Sequence, residues 1–244
     1  MKLKHTFSRR EFIIIGLGAI GAAAAIYGIY HTYIKPTEEH PTYPTGIEIK
    51  LPDPKLESEV SIEEAILRRR SIREYLDEPI TTSDVAQLLW AAQGITEPTR
   101  KFRAAPSAGA LYPLETYVAV GNVKDLEKGV YKYNPYKHTM IKTLDVDVRS
   151  ELAKAALGQR WVEKAAIDII ITAVYERTTR KYGSRGIRYV HLEAGHAAQN
   201  IYLQAVSLKL GTVVVGAFHD ETVKEILKLP KNENPIYIIP VGKI

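Results

Sequence analysis

The chain has 244 residues, 45% hydrophobic and 25% charged, enough for one domain of ordinary size with a full core. It has no cysteine, which excludes disulfides, a thiolate nucleophile and cysteine-held zinc or iron–sulfur centres; with two methionines and plentiful Lys, Arg and Glu, the composition also fits a heat-adapted source. Of the net charge of +5, the first 35 residues hold +4 (Lys2, Lys4, Arg9, Arg10 and Lys35 against Glu11), so residues 36–244 carry about +1 and lack the charge of a nucleic-acid-binding face.

Phe12 to Tyr30 is an uncharged run of 19 residues, about the length of a bilayer-crossing helix. Before it stands Ser8-Arg9-Arg10-Glu11-Phe12-Ile13-Ile14, which resembles a twin-arginine export signal. The alternative is a plain membrane anchor oriented by its positive flank. Both readings place the rest of the chain outside the cytoplasm. Ala22 to Ala25 offer a cleavage site, yet the apolar run continues to Tyr30, so cleavage stays open. Gly16-Leu17-Gly18-Ala19-Ile20-Gly21 matches the dinucleotide fingerprint by spelling only, because it lies inside the apolar leader and not between a strand and a helix. Residues 31–55 hold Pro36, Pro41, Pro44, Pro52 and Pro54 and read as an extended linker. The folded domain is expected over residues 56–244.

Within the domain, Ser61 and Glu64 form a capping-box pattern, and a helix is expected from there to about Arg70. A second helix follows Thr82, with Val85, Leu88, Leu89 and Ala92 on one face. Glu115 to Gly121 reads as a strand, and Val130 to Leu144 as a hairpin around Asn134-Pro135. Asp147 to Leu157 reads as helix. Ile167 to Tyr175 is an Ile- and Val-rich run, hence a buried central strand. The longest helix spans Ile187 to Leu210, with Gly211 ending it. Thr212 to Phe218 reads as a buried strand, Asp220 as the cap of a short helix to Leu229, and Pro235 to Val241 as the last strand. Strands and helices do not alternate regularly, so the class is α+β.

Two segments carry chemistry. Arg69, Arg70, Ser71 and Arg73, with Arg68, read either as a solvated basic helix end favoured by the dipole or as a phosphate clamp. Pro106-Ser107-Ala108-Gly109-Ala110-Leu111-Tyr112-Pro113 has small residues between two prolines. It reads either as an ordinary surface loop or as a stiff, bare backbone that a flat ligand approaches closely. It is not a G-x-S-x-G elbow, so a serine hydrolase is not indicated. His191 and His196 are five apart, which turns them to different sides of a helix; packing or hydrogen bonding suits them better than a metal, and no metal site is expected.

Together these segments resemble the nitroreductase family of FMN enzymes, and within it the SagB-like branch that includes azoline-oxidising dehydrogenases. The resemblance covers roughly Ile62 to Gly242. It also rests on Gly158-Gln159-Arg160-Trp161-Val162, on Arg188 to Asn200, on Val214-Val215-Gly216-Ala217-Phe218 and on Pro240-Val241-Gly242. It implies a largely antiparallel mixed sheet flanked by helices, in a homodimer with FMN at the interface. Arg69, Arg70, Ser71 and Arg73 would hold the phosphate, ribityl chain and pyrimidine edge, with Gln159 also at the cofactor. Pro106, Ser107, Ala108, Gly109 and Leu111 would reach the flavin from the other subunit. Val215 and Gly216 would sit at N5. Many members carry further basic residues after the final strand, so Lys243, or Arg69 and Arg73 alone, would serve the phosphate here.

The resemblance further implies hydride transfer through N5 by a ping-pong route, with NAD(P)H as one electron donor and a small molecule or peptide as substrate. In the azoline-oxidising branch a Lys-Tyr pair assists proton removal, and Lys181-Tyr182 is the candidate pair; an exposed loop pair is the plainer reading. The rival of a different class is a non-catalytic, membrane-anchored binding domain that keeps the fold.

Overall fold

The computed structural model describes residues 43–244; the segment expected to be an export signal or anchor, and the first part of the expected linker, lie outside the described residues. The centre is a seven-stranded sheet, ordered β1-β8-β7-β5-β9-β11-β10 and antiparallel at every step. Its strands are β1 (Glu48–Lys50), β5 (Leu114–Val120), β7 (Gly129–Asn134), β8 (Thr139–Leu144), β9 (Ile167–Ala173), β10 (Leu210–Thr212) and β11 (Asn234–Lys243). Two minor pairs join β2 (Ile80–Thr81) in parallel to β6 (Val123–Lys124), and β3 (Ile95–Glu97) to β4 (Phe102–Arg103).

Both faces of the sheet are covered, which is why β9 is buried at every position and apolar except at Asp168 and Thr172, without alternation. On one face, Val118, Val120, Ile167, Ile169 and Ile171 pack with α2 (Thr82–Gln93) and α6 (Arg185–Ser207). On the other, Tyr117, Ala119, Ile170 and Ile238 pack with α3 (Arg149–Ala155), α4 (Arg160–Lys164) and α7 (Asp220–Leu227). The inner stripe of α6 is Val190, Ala194, Ala197, Ala198, Ile201 and Ala205, at helical spacing and mostly small, so the long helix lies close to the sheet. The expected α+β class and the largely antiparallel sheet are both present. Among the described residues no helix is long and apolar enough to cross a membrane.

The element boundaries show where local chemistry differs from pattern. α1 (Ile62–Arg68) stops before the expected Arg70. Ser61 accepts the Glu64 N–H at 3.1 Å, but the Glu64 carboxylate turns to Arg68 at 2.8 Å, so the box is half-made. The complete box is one helix later: Thr81 Oγ1 accepts the Asp84 N–H at 3.1 Å, and Asp84 accepts the Thr81 N–H at 2.8 Å. α6 is not ended by Gly211. It stops at Ser207, Lys209 takes the left-handed turn at φ 58°, and Gly211 lies inside β10. A Cβ on Gly211 would stand 2.8 Å from Ile72 Cγ2, so glycine serves there for close approach.

The strand expected over residues 212–218 leaves the ladder after Thr212, and Val215 rejoins it only through mutual bonds with Ile238 at 2.8 and 3.0 Å. Asp220 is the first helical residue of α7, with His219 in the cap position. Part of the proline-marked linker belongs to the sheet: β1 pairs with β8, and Leu51 is fully buried. The short helix α5 (Glu176–Tyr182) has no expected counterpart.

Candidate functional site

One group of the expected residues assembles at the β10–β11 edge of the sheet. Arg69 leaves α1 in a non-helical conformation, and the following segment runs along the sheet end. Ile72 N–H donates to the Thr212 carbonyl and Leu76 N–H to the Lys243 carbonyl, both at 2.9 Å. Tyr202 of α6 is the node. Its hydroxyl lies 2.9 Å from Ser71 Oγ and accepts the Val214 N–H at 2.9 Å. The Arg69 guanidinium lies over its ring at 5.2 Å. Arg73 covers the Trp161 ring at 5.5 Å, and Gln159 donates to the Ala217 carbonyl at 3.0 Å. Segments 69–76, 159–161 and 214–217 and the end of β11 are thus bonded into one surface. Ser71, Arg73 and Gly216 are exposed on it.

Two expected roles change. The Arg70 guanidinium turns back onto the Leu67 and Arg69 carbonyls at 3.0 and 2.8 Å, so it caps α1 and does not face the group. The Val215 N–H is spent on Ile238, and its side chain is buried. Gly216 is the exposed backbone position of that pair, and among the described residues its N–H donates to no carbonyl.

A second group forms at the N-terminal half of α6. Residues 105–113 fold around a tight turn at Ala108–Ala110, with positive φ at Gly109 (65°), Ala110 (55°) and Tyr112 (46°). Ser107 Oγ accepts the Tyr112 N–H at 2.9 Å, which closes the turn. Lys181 and Tyr182 lie directly on it: a Cβ on Gly109 would stand 2.8 Å from Tyr182 Oη and 2.9 Å from Lys181 Nζ. The Tyr182 ring meets Tyr189 edge-on at 5.1 Å. Pro106 is exposed, and Ala108 and Leu111 are half-buried beside it. Four positions along from Tyr189 on α6, Glu193 is buried. Burial pushes its carboxyl up to about 7, against the pull of Ser107, Arg103 and Arg177.

Under this corner lies a buried charge network. Arg177 of α5 pairs with Glu115 at 2.6 Å and donates to the Tyr112 carbonyl at 3.1 Å. Lys132 pairs with Glu115 at 3.4 Å and Glu233 at 2.7 Å. Glu233 accepts from Tyr117 at 2.8 Å and Thr172 at 3.1 Å. Two cations balance two carboxylates, so the network carries no net charge. It ties α5, and with it Lys181-Tyr182, to the sheet. His191 Nε2 bonds to Tyr175 Oη at 2.6 Å, and among the described residues no cluster of His, Asp or Glu is placed to hold a metal.

Tyr202, Arg177 and Glu193 escaped the sequence reading. Glu193 had a visible signal: a carboxylate inside the apolar stripe of a long helix. Tyr202 and Arg177 had none, because their partners are 131 and 62 positions away in the chain.

The nitroreductase family model matches residues 66–243. A nitroreductase-family protein of Methanocaldococcus jannaschii is 51% identical over 81% of this chain and 96% of its own length. The microcin B17-processing protein McbC of Escherichia coli is 26% identical over 59% of this chain, which spans 55% of that protein. Among solved structures, a nitroreductase-type protein of Ralstonia eutropha superimposes with a TM-score of 0.72 at 28% identity, over 80% of this chain and 89% of the other. The NADPH:FMN oxidoreductase of Vibrio harveyi, complexed with NAD+, gives 0.54 at 25% identity, over 75% and 68%. With six of the seven sheet strands, the Arg69–Arg73 segment and the Ala105–Pro113 turn inside the matched region, the chain belongs to the nitroreductase family.

Proposed function

We propose that this oxidoreductase binds FMN across a homodimer interface and draws electrons from NAD(P)H or another two-electron donor. The observation that carries the reading is the surface knotted by Tyr202. It presents guanidinium groups at Arg69 and Arg73, a hydroxyl at Ser71 and a backbone donor at Gly216. This donor set suits a phosphate, a ribityl chain and a flavin edge. Tyr202 can donate its proton to Ser71, which leaves the Ser71 proton for a ligand. When bound, FMN supplies two-electron chemistry, with hydride entering and leaving at N5. Arg69 and Arg73 would hold its phosphate with Lys243 close by, and Gln159 would keep the Ala217 carbonyl in place behind it.

The spacing on α6 supports the dimer reading. Glu193, at the Ser107 turn, and Tyr202, at the clamp, are nine positions apart, roughly 13 Å along the helix. A two-fold pairing of α6 with its copy would bring the turn of one protomer to the clamp of the other. Leu192 on α6 and Ile62, Ile66 and Leu67 on α1 are large exposed apolar side chains available for that contact.

On substrate, the Lys181-Tyr182 pair favours the SagB-like dehydrogenase reading over a general nitro or quinone reductase. The pair rests on the turn that would face the flavin, where Tyr182 or Lys181 would take the proton that leaves a thiazoline or oxazoline as its hydride is removed. McbC, named for processing microcin B17, is a relative of this kind. The test is turnover of a peptide azoline by wild type, Lys181→Ala and Tyr182→Phe, beside quinone reduction as a control. Loss of azoline oxidation with quinone reduction intact supports the assignment; equal effects on both, or no azoline turnover by wild type, refute it. The leader is proposed to export or tether the folded, loaded enzyme. A reporter fusion that stays in the cytoplasm whether or not Arg9 and Arg10 are changed to Lys would refute that placement.

A further inference from the structure

Two cationic side chains are buried among the described residues, and they are treated differently. Lys132 has two carboxylates, Glu115 and Glu233. Arg103 of β4 is 6% exposed, and among the described residues no carboxylate pairs with it. A buried charge without a counter-ion is costly, so its surroundings call for a reason.

The guanidinium has five N–H donors. Nη1 uses both of its own, on Gln93 Oε1 at 2.8 Å and the Leu114 carbonyl at 3.3 Å. Nη2 reaches only the Tyr136 hydroxyl, at 3.3 Å, and Nε has no partner. Nε–H and one Nη2–H point the same way along one edge of the group. That edge is the fork that a carboxylate fills with two parallel bonds. Here it holds one long hydrogen bond to a neutral hydroxyl.

We propose that the Nε–Nη2 edge of Arg103 is a docking subsite for a carboxylate of the substrate, covered by Tyr136 until the carboxylate displaces the tyrosine hydroxyl. That the carboxylate belongs to the substrate rests on the reading that the Ser107 turn faces the flavin.

The place and the cover both support this. Arg103 N–H donates to the Tyr112 hydroxyl at 3.1 Å, and Tyr112 N–H donates to Ser107 Oγ at 2.9 Å, so the subsite is bonded to the turn. The guanidinium lies 4.7 Å from the Tyr112 ring and 5.4 Å from the Tyr136 ring. Tyr136 sits in the turn between β7 and β8 and is 41% exposed, so its ring can swing toward solvent. Lys101 Nζ also lies over the Tyr136 ring, at 5.6 Å, and no carboxylate pairs with it among the described residues. A tyrosine ring held between two cations leaves both facing an anion when it moves.

The experiment is isothermal titration calorimetry of the FMN-loaded full chain with 4-nitrobenzoate and 4-nitrobenzamide, which match in shape and differ in charge. Wild type should bind the acid about tenfold tighter, the worth of a charge-assisted bond. Tyr136→Phe keeps the ring and removes the competing hydroxyl, so the acid-to-amide ratio should rise about threefold. Arg103→Gln should bring the ratio to about one, and Arg103→Lys, a charge without a fork, should fall between that and wild type. A wild-type ratio near one, or a ratio unmoved by Tyr136→Phe, overturns the proposal even if the Arg103 variants do not fold. Inorganic phosphate that competes as well as the acid also overturns it, by showing a general anion site. In nitro reduction the preference should lie in KM; a preference carried by kcat contradicts docking. Among azoline peptides, loss of the preference on C-terminal amidation assigns the subsite to the C-terminus, and loss on Glu→Gln exchange in the peptide assigns it to a side chain. Absence of FMN binding would refute the flavin reading instead, and the same calorimetry on the flavin-free chain then decides the subsite.

Discussion

Replacing Arg177 by Met tests whether the buried charge network is what holds α5 and its Lys181-Tyr182 pair in place. Arg177 is 12% exposed and Glu115 2%, with 2.6 Å between their charged atoms. At an effective dielectric constant of about 20 the attraction alone is about 6 kcal/mol. Desolvation offsets part of it, and removing one partner of a buried pair costs about 3–5 kcal/mol. Glu115 keeps Lys132 at 3.4 Å, so the low end applies, about 3 kcal/mol. For a domain of this size that lowers Tm by roughly 6–12 °C. The assay is thermal and urea denaturation of Arg177→Met, Glu115→Gln and the double variant. The double variant should be less destabilised than the two losses added together, by about 2 kcal/mol. Azoline oxidation should fall further than quinone reduction, because the Arg177 bond to the Tyr112 carbonyl also ties α5 to the turn. A loss under about 1 kcal/mol, or strict additivity, would refute the reasoning.

Three further outcomes are expected. Gly109→Ala places a methyl 2.8 Å from Tyr182 Oη at φ 65°, so it should cost about 1–2 kcal/mol and displace the Lys-Tyr pair; unchanged stability and azoline turnover would contradict the packing. Tyr202→Phe leaves the Val214 N–H without its acceptor, at a cost of about 1–3 kcal/mol, and should weaken FMN binding; an FMN titration matching wild type would show that Tyr202 is not the node. Glu193 has its folded pKa raised from 4.5 to about 7, so its stabilising share is complete below 4.5 and is lost as pH rises toward and through 7. The full loss is ~3 kcal/mol, and Glu193→Gln should therefore gain Tm over wild type at pH 8 but not at pH 5; an equal shift at both would contradict this.

Much of the fold was legible because it is periodic. β9 shows as an apolar run and α6 as a stripe of alanines, since both are packed by burial that repeats along the chain. What failed were endings. Gly211 looked like a helix stop, yet its missing side chain answers to Ile72, a contact between distant segments. The Thr212–Phe218 run kept the composition of a strand but leaves the ladder after Thr212, and Val214 instead donates to Tyr202. β1 was hidden by the prolines around it; pairing with β8 and burial of Leu51 outweigh that composition.

The site divides the same way. The roles proposed for Arg69, Ser71, Arg73, Gly109 and Gly216 rest on residue type, which a motif exposes. Arg70 shares that type but caps its own helix, because two free carbonyls lie within its reach. The Lys181-Tyr182 pair was a bare dipeptide in the sequence. Its contact with Gly109 depends on α5, which Arg177 anchors through partners far away in the chain.

The most direct test of the account is the visible spectrum of the purified full-length protein, with mass-spectrometric identification of whatever is released on denaturation. The account predicts a yellow protein with flavin absorbance, FMN in the supernatant, and loss of both when Arg69 and Arg73 are changed to Ala. A colourless protein that cannot be reconstituted with FMN would contradict it.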